Sequence, residues 1–184
     1  MRGYFAIGVE GVTKAMNVGA LMRTAHAFDA SFVFTIAASY ARDEGRLADT
    51  SDTPGSLPFY EFSSVGDFAL PRDCELVGVE LMDDAVELPS FRHPRAAAYV
   101  MGPERGSLSP ELVARCAHVV RIPTRFSINL SLAGALVMYD RLLSRGRFPA
   151  RPVAAGGPVE PLARHAFAPP KIRRPRPLSA AGTD

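Results

Sequence analysis

The 184-residue sequence has only two cysteines, Cys74 and Cys116. That is too few for a disulfide framework, and their spacing is not that of a metal-ligand pair. Histidine is equally sparse: His26, His93, His118 and His165 stand singly and read as structural or surface residues, not as metal ligands. No apolar run approaches the length needed to cross a bilayer. The opening MRGYFAIGVEG reads as a strand, because it lacks the apolar stretch and small-residue cleavage site of a signal peptide. The expectation is a cytoplasmic protein with no metal and no membrane partner. There is no Ser/His/Asp order, no G-x-S-x-G and no reactive-cysteine context, so nothing resembles an activated nucleophile. A G-x-G-x-x-G turn is missing too. Gly8 and Gly11 have the wrong spacing for it, which speaks against a Rossmann dinucleotide site.

What is present is a core and an uneven charge. The chain is 47% hydrophobic, enough for one domain with a real interior. Residues 1–140 carry 12 Lys+Arg against 17 Asp+Glu, whereas residues 141–184 carry 9 against 2. Nearly all the cations are arginine, whose planar fork suits phosphate. A basic end on a mildly acidic body is a candidate nucleic-acid contact. A solubilising tail is the alternative. From Pro149 onward the chain holds 8 of its 16 prolines, with little periodicity. The expected division is therefore a domain over 1–149 and a Pro/Arg-rich extension over 150–184 without regular structure.

Within the domain, apolar β-rich runs alternate with helical ones. Strands are expected at 4–10, 31–37, 59–62, 75–81, 97–102 and 118–123. Between 38 and 58 a polar stretch with Pro and Gly reads as a long loop. A helix is expected from Asn17, which sits where an N-cap belongs. Its apolar stripe is Val18, Leu21, Met22, Ala25 and Phe28, and Arg23 projects from the opposite face. SSVGDFAL reads as a short Ser-capped helix. SPELVARC reads as another, with Ser109 as cap and Pro110 at its first position. A long helix runs from about 130 to 146, apolar nearly all round in its first three turns, so it should be buried on every side. Strands separated by helices predict an α/β fold with a mostly parallel sheet flanked by helices. The last helix points to a homodimer, because a subunit interface is its natural second partner.

Three segments could carry chemistry. After the fourth strand, VELMDD puts Glu80 at a strand end, where it could accept hydrogen bonds from a ribose or simply be a loop carboxylate. In YVMGPERGSLSPELV, the strand ends at Gly102 and turns through Pro103 and Gly106 into a helix, with Glu104 and Arg105 at the edge. Glycines there let a backbone approach a ligand. In RIPTRFSINLSLAG, Pro123 takes the chain out of the sheet. Ser127 and Asn129, two apart in an extended stretch, would point the same way, unless Asn129 only caps the last helix.

Taken in order, NVGALMRTA, VMGPERGSLS and IPTRFSINLSLAGAL resemble the three signature motifs of the SpoU (TrmH) family, RNA ribose 2′-O-methyltransferases of the SPOUT superfamily. The resemblance covers about residues 4–146. It implies a C-terminal deep trefoil knot, which periodicity alone would not propose. It implies S-adenosylmethionine as cofactor, surrounded by Val79, Glu80, Leu81, Gly102, Ile122, Ser127 and Ile128. It implies a homodimer whose active sites are built from both subunits. Asn17, Arg23, Glu104, Ser127 and Asn129 match the family's polar motif positions. Arg23 matches an arginine thought to help deprotonate the ribose 2′-hydroxyl. A cation is poorly suited to take a proton, so the role read here is to bind phosphate, orient the hydroxyl and stabilise developing negative charge. No metal is required. The loop between IP and the Ser-x-Asn element is about three residues shorter than in most members, and SIN replaces the usual SLN. The motifs begin almost at Met1, as in minimal members that act on tRNA. The expected substrate is therefore RNA, with tRNA first. Ribosomal RNA, or a non-catalytic RNA-binding protein of the same fold, are the alternatives.

Overall fold

Strand and helix alternate along the described chain, which comprises residues 3–40, 57–146, 148, 151–152 and 155–157 of a computed structural model. The elements are β1 (Phe5–Glu10), α1 (Ala15–Ala27), β2 (Phe32–Ile36), β3 (Phe59–Phe62), β4 (Glu75–Val79), β5 (Val86–Glu87), β6 (Ala97–Met101), α2 (Pro110–Arg115), β7 (His118–Arg121) and α3 (Leu130–Arg145). The seven strands form one sheet in the order β3-β2-β1-β6-β4-β7-β5. Every pairing in it is parallel. The chain divides into compact units Met1–Arg147 and Phe148–Asp184. The expected extension over 150–184 lies almost wholly outside the described residues, as do 41–56 of the expected long loop.

A parallel sheet must be covered on both faces, and its central strands are apolar throughout. β6, AAYVM, is buried at all five positions. Alternate residues sort to the two faces, as the strand period requires. Ile7, Val9, Val77, Val79, Tyr99 and Met101 pack with Val18, Leu21 and Met22 of α1 and Val137 and Met138 of α3. Ala6, Phe34, Leu76, Ala98 and Val100 pack with Leu112 of α2. The layers are those expected from the sequence. α1 and α3 approach closely: a Cβ on Gly134 would stand 2.6 Å from Leu21 Cδ1.

Two local expectations need correction. α1 starts at Ala15, with Lys14 in the cap position and no side-chain cap. Asn17 therefore lies inside the first turn. SSVGDFAL is a turn. The hydroxyls of Ser63 and Ser64 donate to Asp67 Oδ2 at 2.6 and 2.8 Å, and such local bonds compete with a helix. α3 buries one face within the single chain, which leaves the face expected at a subunit interface uncovered. Leu132, Leu136, Tyr139 and Leu142 on its other side are exposed in the single chain. The cap expectations at Ser109 and Asn129 agree with the structure: Ser109 Oγ accepts from the Leu112 N–H and Asn129 Oδ1 from the Ser131 N–H.

At the N-terminal edge of the sheet lies a closed polar cluster. Arg141 of α3 is only 5% exposed. Its guanidinium donates to the carbonyls of Pro94 (2.7 Å), Tyr4 (3.0 Å) and Arg95 (3.0 Å) and to Tyr99 Oη (3.1 Å). His93 bridges Tyr99 Oη, 2.5 Å from Nδ1, and Asp140 Oδ2, 2.9 Å from Nε2. Burial holds the His93 imidazole below its ordinary pKa, and the Asp140 hydrogen bond only partly opposes that.

Candidate functional site

The opposite edge is open. β1, β4, β6 and β7 all end here, and the loops leaving β4, β6 and β7 surround a cleft of about 550 Å³, counting the part that opens to solvent. Ligands of parallel α/β sheets bind at this carboxyl edge. All seven expected cofactor residues line the cleft: Val79, Glu80, Leu81, Gly102, Ile122, Ser127 and Ile128. Its other walls include Pro103 and Gly106, from the turn the sequence marks for close ligand approach, and Met101, Thr124, Leu130 and Ala133, which sequence reasoning missed. Gly106 gave a readable signal, since the turn needs its φ of 120°, a conformation only glycine adopts without strain. Gly102 is required by space. A Cβ there would lie 2.9 Å from the Leu108 nitrogen.

Three carboxylates shape the cleft by accepting N–H groups from neighbouring loops. Glu80 accepts from Leu81 N at 2.9 Å and Leu108 N at 2.8 Å. Glu10, buried at the end of β1, accepts from Ser109 N at 2.7 Å and Ser109 Oγ at 2.6 Å. Glu104 reaches across to the start of α1. It accepts from Thr13 N (3.1 Å), Lys14 N (3.0 Å) and Asn17 Nδ2 (2.8 Å). A carboxylate at a helix N-terminus meets both unpaired N–H groups and the positive end of the dipole. Burial pushes the Glu104 carboxyl up. The hydrogen bonds from Asn17 and the backbone outweigh it and hold the group below the usual carboxylate range.

The structure thus brings Asn17, Glu104 and Asn129 together. Asn17 Oδ1 accepts from Asn129 Nδ2 at 3.0 Å, so one buried asparagine ties the first, second and third motifs. Asn129 keeps its cap as well. Ser127 stands on the wall of the cleft. Arg23 is not brought to this group within the chain. It is exposed on α1, about 9 Å along the axis from Asn17 at 1.5 Å per residue, and it is not part of the cleft lining. Cys116 offers no nucleophile: burial pushes its thiol up to about 11. Among the described residues no three His, Cys, Asp or Glu side chains gather as a metal site. No described helix is long and apolar enough to cross a membrane.

The profile of the SpoU rRNA Methylase family matches residues 4–139. The chain belongs to this family. Its fold is that of solved SpoU structures. The SpoU methyltransferase AviRb from Streptomyces viridochromogenes, solved in complex with the cofactor AdoMet, is 20% identical with a TM-score of 0.71, over 79% of this chain and 59% of that one. An AdoMet-bound rRNA methyltransferase from Sinorhizobium meliloti is 20% identical with a TM-score of 0.67, over 78% and 57%. A third structure, described as giving insights into the 2-OH methylation of C/U34 on tRNA, is 20% identical with a TM-score of 0.69, over 78% and 97%. This SpoU chain therefore spans less than two thirds of the first two and nearly all of the third. No protein of curated function matches it.

Proposed function

We propose that the chain is an S-adenosylmethionine-dependent RNA ribose 2′-O-methyltransferase acting on tRNA, with ribosomal RNA as the alternative substrate. The observation that carries this reading is the cleft, whose walls include every residue that the family resemblance implies around the cofactor. The lining fits that group. Val79, Leu81, Met101, Ile122, Ile128 and Leu130 offer apolar cover for a purine and a thioether chain, and Glu80, Thr124 and Ser127 offer polar atoms for its hydroxyls and charged end. When bound, S-adenosylmethionine supplies an electrophilic methyl group on a sulfonium.

The rest is positioning by the chain's own residues. The Asn17–Glu104–Asn129 network fixes the β6–α2 loop and the start of α3 against α1, and so sets the cleft's shape. Arg23 binds the RNA phosphate beside the reacting ribose and orients the 2′-hydroxyl. Its guanidinium would stabilise the negative charge that develops on the 2′-oxygen as the hydroxyl proton passes to solvent water. Arg23 stands away from its own chain's cleft, which supports a homodimer in which it serves the cleft of a second copy. The exposed apolar stripe Leu132, Leu136 and Tyr139 on α3 supports the same assembly. Domain 1–149 carries the chemistry, and the basic extension 150–184 adds phosphate contacts that the acidic body lacks. The tRNA reading is favoured by the near-complete span of the tRNA-directed relative. The cytoplasm is the proposed location.

Calorimetric titration with S-adenosylmethionine tests the reading. The wild-type chain should bind one molecule per subunit. Ser127→Trp, at an exposed position on the cleft wall, should fold and not bind. Failure of the wild type to bind would overturn the enzyme reading and leave a non-catalytic RNA-binding protein.

A further inference from the structure

On the loops at the carboxyl edge of the sheet, beside residues that line or brace the cleft, the chain displays three exposed cations and one exposed ring. Lys14 follows β1, Arg105 follows β6, and Arg125 and Phe126 follow β7. All three loops leave the carboxyl edge of the sheet. The first two are tied to each other, because Glu104 accepts the Lys14 N–H at 3.0 Å and Arg105 is its chain neighbour. The third is tied to the cleft, because Thr124 and Ser127, which bracket Arg125 and Phe126, both line it.

The electrostatics of this rim are unbalanced. The carboxylates Glu10, Glu80 and Glu104 are engaged by N–H groups, and the exposed Asp83 and Asp84 on the loop after β4 form no ion pair with a described residue. Lys14, Arg105 and Arg125 form no ion pair with any described residue. In a body that is net negative, three cations left without carboxylates at one place suit an anion from outside. Phe126 is 75% exposed, yet its loop is pinned. Thr124 Oγ1 donates to the Phe126 carbonyl at 2.9 Å, and Thr124 N to the Ile122 carbonyl at 2.7 Å. A ring held out on a fixed loop between cations is the arrangement by which proteins take unpaired nucleotides: the base stacks on the ring, and the cations hold its phosphates.

Resting on the reading proposed above, we infer that Phe126 is a stacking platform for an unpaired nucleobase at the mouth of the cleft, with Arg125, Arg105 and Lys14 on the flanking phosphates. The substrate class is then an RNA loop or single strand. A base inside a duplex has both faces covered by its neighbours and cannot offer one to Phe126. The second copy proposed above would bring a further cation, Arg23, towards this cleft, so it does not supply the anions that these three call for.

The test compares wild type, Phe126→Ala and Phe126→Trp. The readouts are methyl incorporation into RNA from cells lacking the gene, S-adenosylmethionine titration, light scattering, and quenching of 2-aminopurine in a single-stranded RNA oligonucleotide. Phe126→Ala should raise KM for RNA about 5- to 100-fold, the range for losing one stacked base. It should leave cofactor affinity and oligomeric state unchanged and abolish the quench. Phe126→Trp should restore KM and quench. A duplex of the same oligonucleotide should compete poorly. Loss of cofactor affinity in Phe126→Ala, a change of oligomeric state, or an unchanged KM and quench would each overturn the inference. If the wild type methylates no RNA, the enzyme reading fails. The oligonucleotide quench still decides the platform by itself.

Discussion

The two edges of the sheet meet the same physical demand with opposite results. At the N-terminal edge one cation, Arg141, spreads its donors over three loop carbonyls and the Tyr99 hydroxyl, and the space closes. At the C-terminal edge three carboxylates, Glu10, Glu80 and Glu104, each collect N–H groups from loops that would otherwise collapse inward, and the space stays open as the cleft. Buried charge is costly unless it is hydrogen-bonded, and both edges obey that rule. The lesson is that a buried charge does not by itself mark a site. Tyr99, His93 and Arg141 are more deeply buried than Glu10, and they are architecture. The working edge is marked by groups still facing solvent around a cavity.

The comparison can be broken by substitution at each edge. Arg141→Met should have the largest effect, about 3–5 kcal/mol of stability, because it orphans buried partners. Urea unfolding should show it, while the cofactor affinity of the folded fraction stays at the wild-type value. Arg23→Ala should do the reverse. Methyl transfer should fall about 10²- to 10³-fold, as for loss of a charge-stabilising donor. Stability should move by no more than about 0.5 kcal/mol, as at ordinary surface positions. The same variant sharpens the dimer reading. Mixed with Ser127→Trp, it should recover about a quarter of wild-type activity, because half the exchanged dimers are mixed and each holds one intact site. No recovery would mean that Arg23 serves its own chain.

The smallest effect concerns pH and again separates the edges. His93 is held below its ordinary value by burial. A depressed imidazole contributes stability that is complete above the unfolded value of about 6.5 and is lost as pH falls through the lower folded value. Unfolding free energy should therefore decline as pH drops below about 6.5. His93→Gln should flatten that decline without moving the pH profile of cofactor binding. An unchanged slope would remove His93 from the account.

Much of this was legible in the sequence because strand period, helix caps and motif order are local. Six of the seven strands, the parallel sheet and the caps at Ser109 and Asn129 needed only near neighbours, whereas the two-residue β5 was too short to read; the family resemblance named seven residues that line the cleft. What was not legible depends on contacts far apart in the chain. Asn17 reads as an N-cap, but its side chain is engaged by Glu104 and Asn129, 87 and 112 residues away. The helix it should cap starts earlier because Glu104 caps it from another loop. SSVGDFAL has helical spacing, and a three-residue bond pattern around Asp67 overrides it. The apolar periphery of α3 was read as burial, and a single chain buries half of it. Arg141 gave no signal at all, since an arginine one turn before the end of a helix that closes on Arg145 reads as an ordinary solvated side chain.

The central claim is that the open edge transfers a methyl group to a ribose oxygen of RNA. Incubating the full chain with methyl-labelled S-adenosylmethionine and RNA from cells lacking the gene, then digesting the RNA to nucleosides, tests it directly. The account predicts label in 2′-O-methylnucleosides, concentrated in the tRNA fraction and lost with Arg23→Ala. Label on a base, or no label in any RNA fraction, would contradict it.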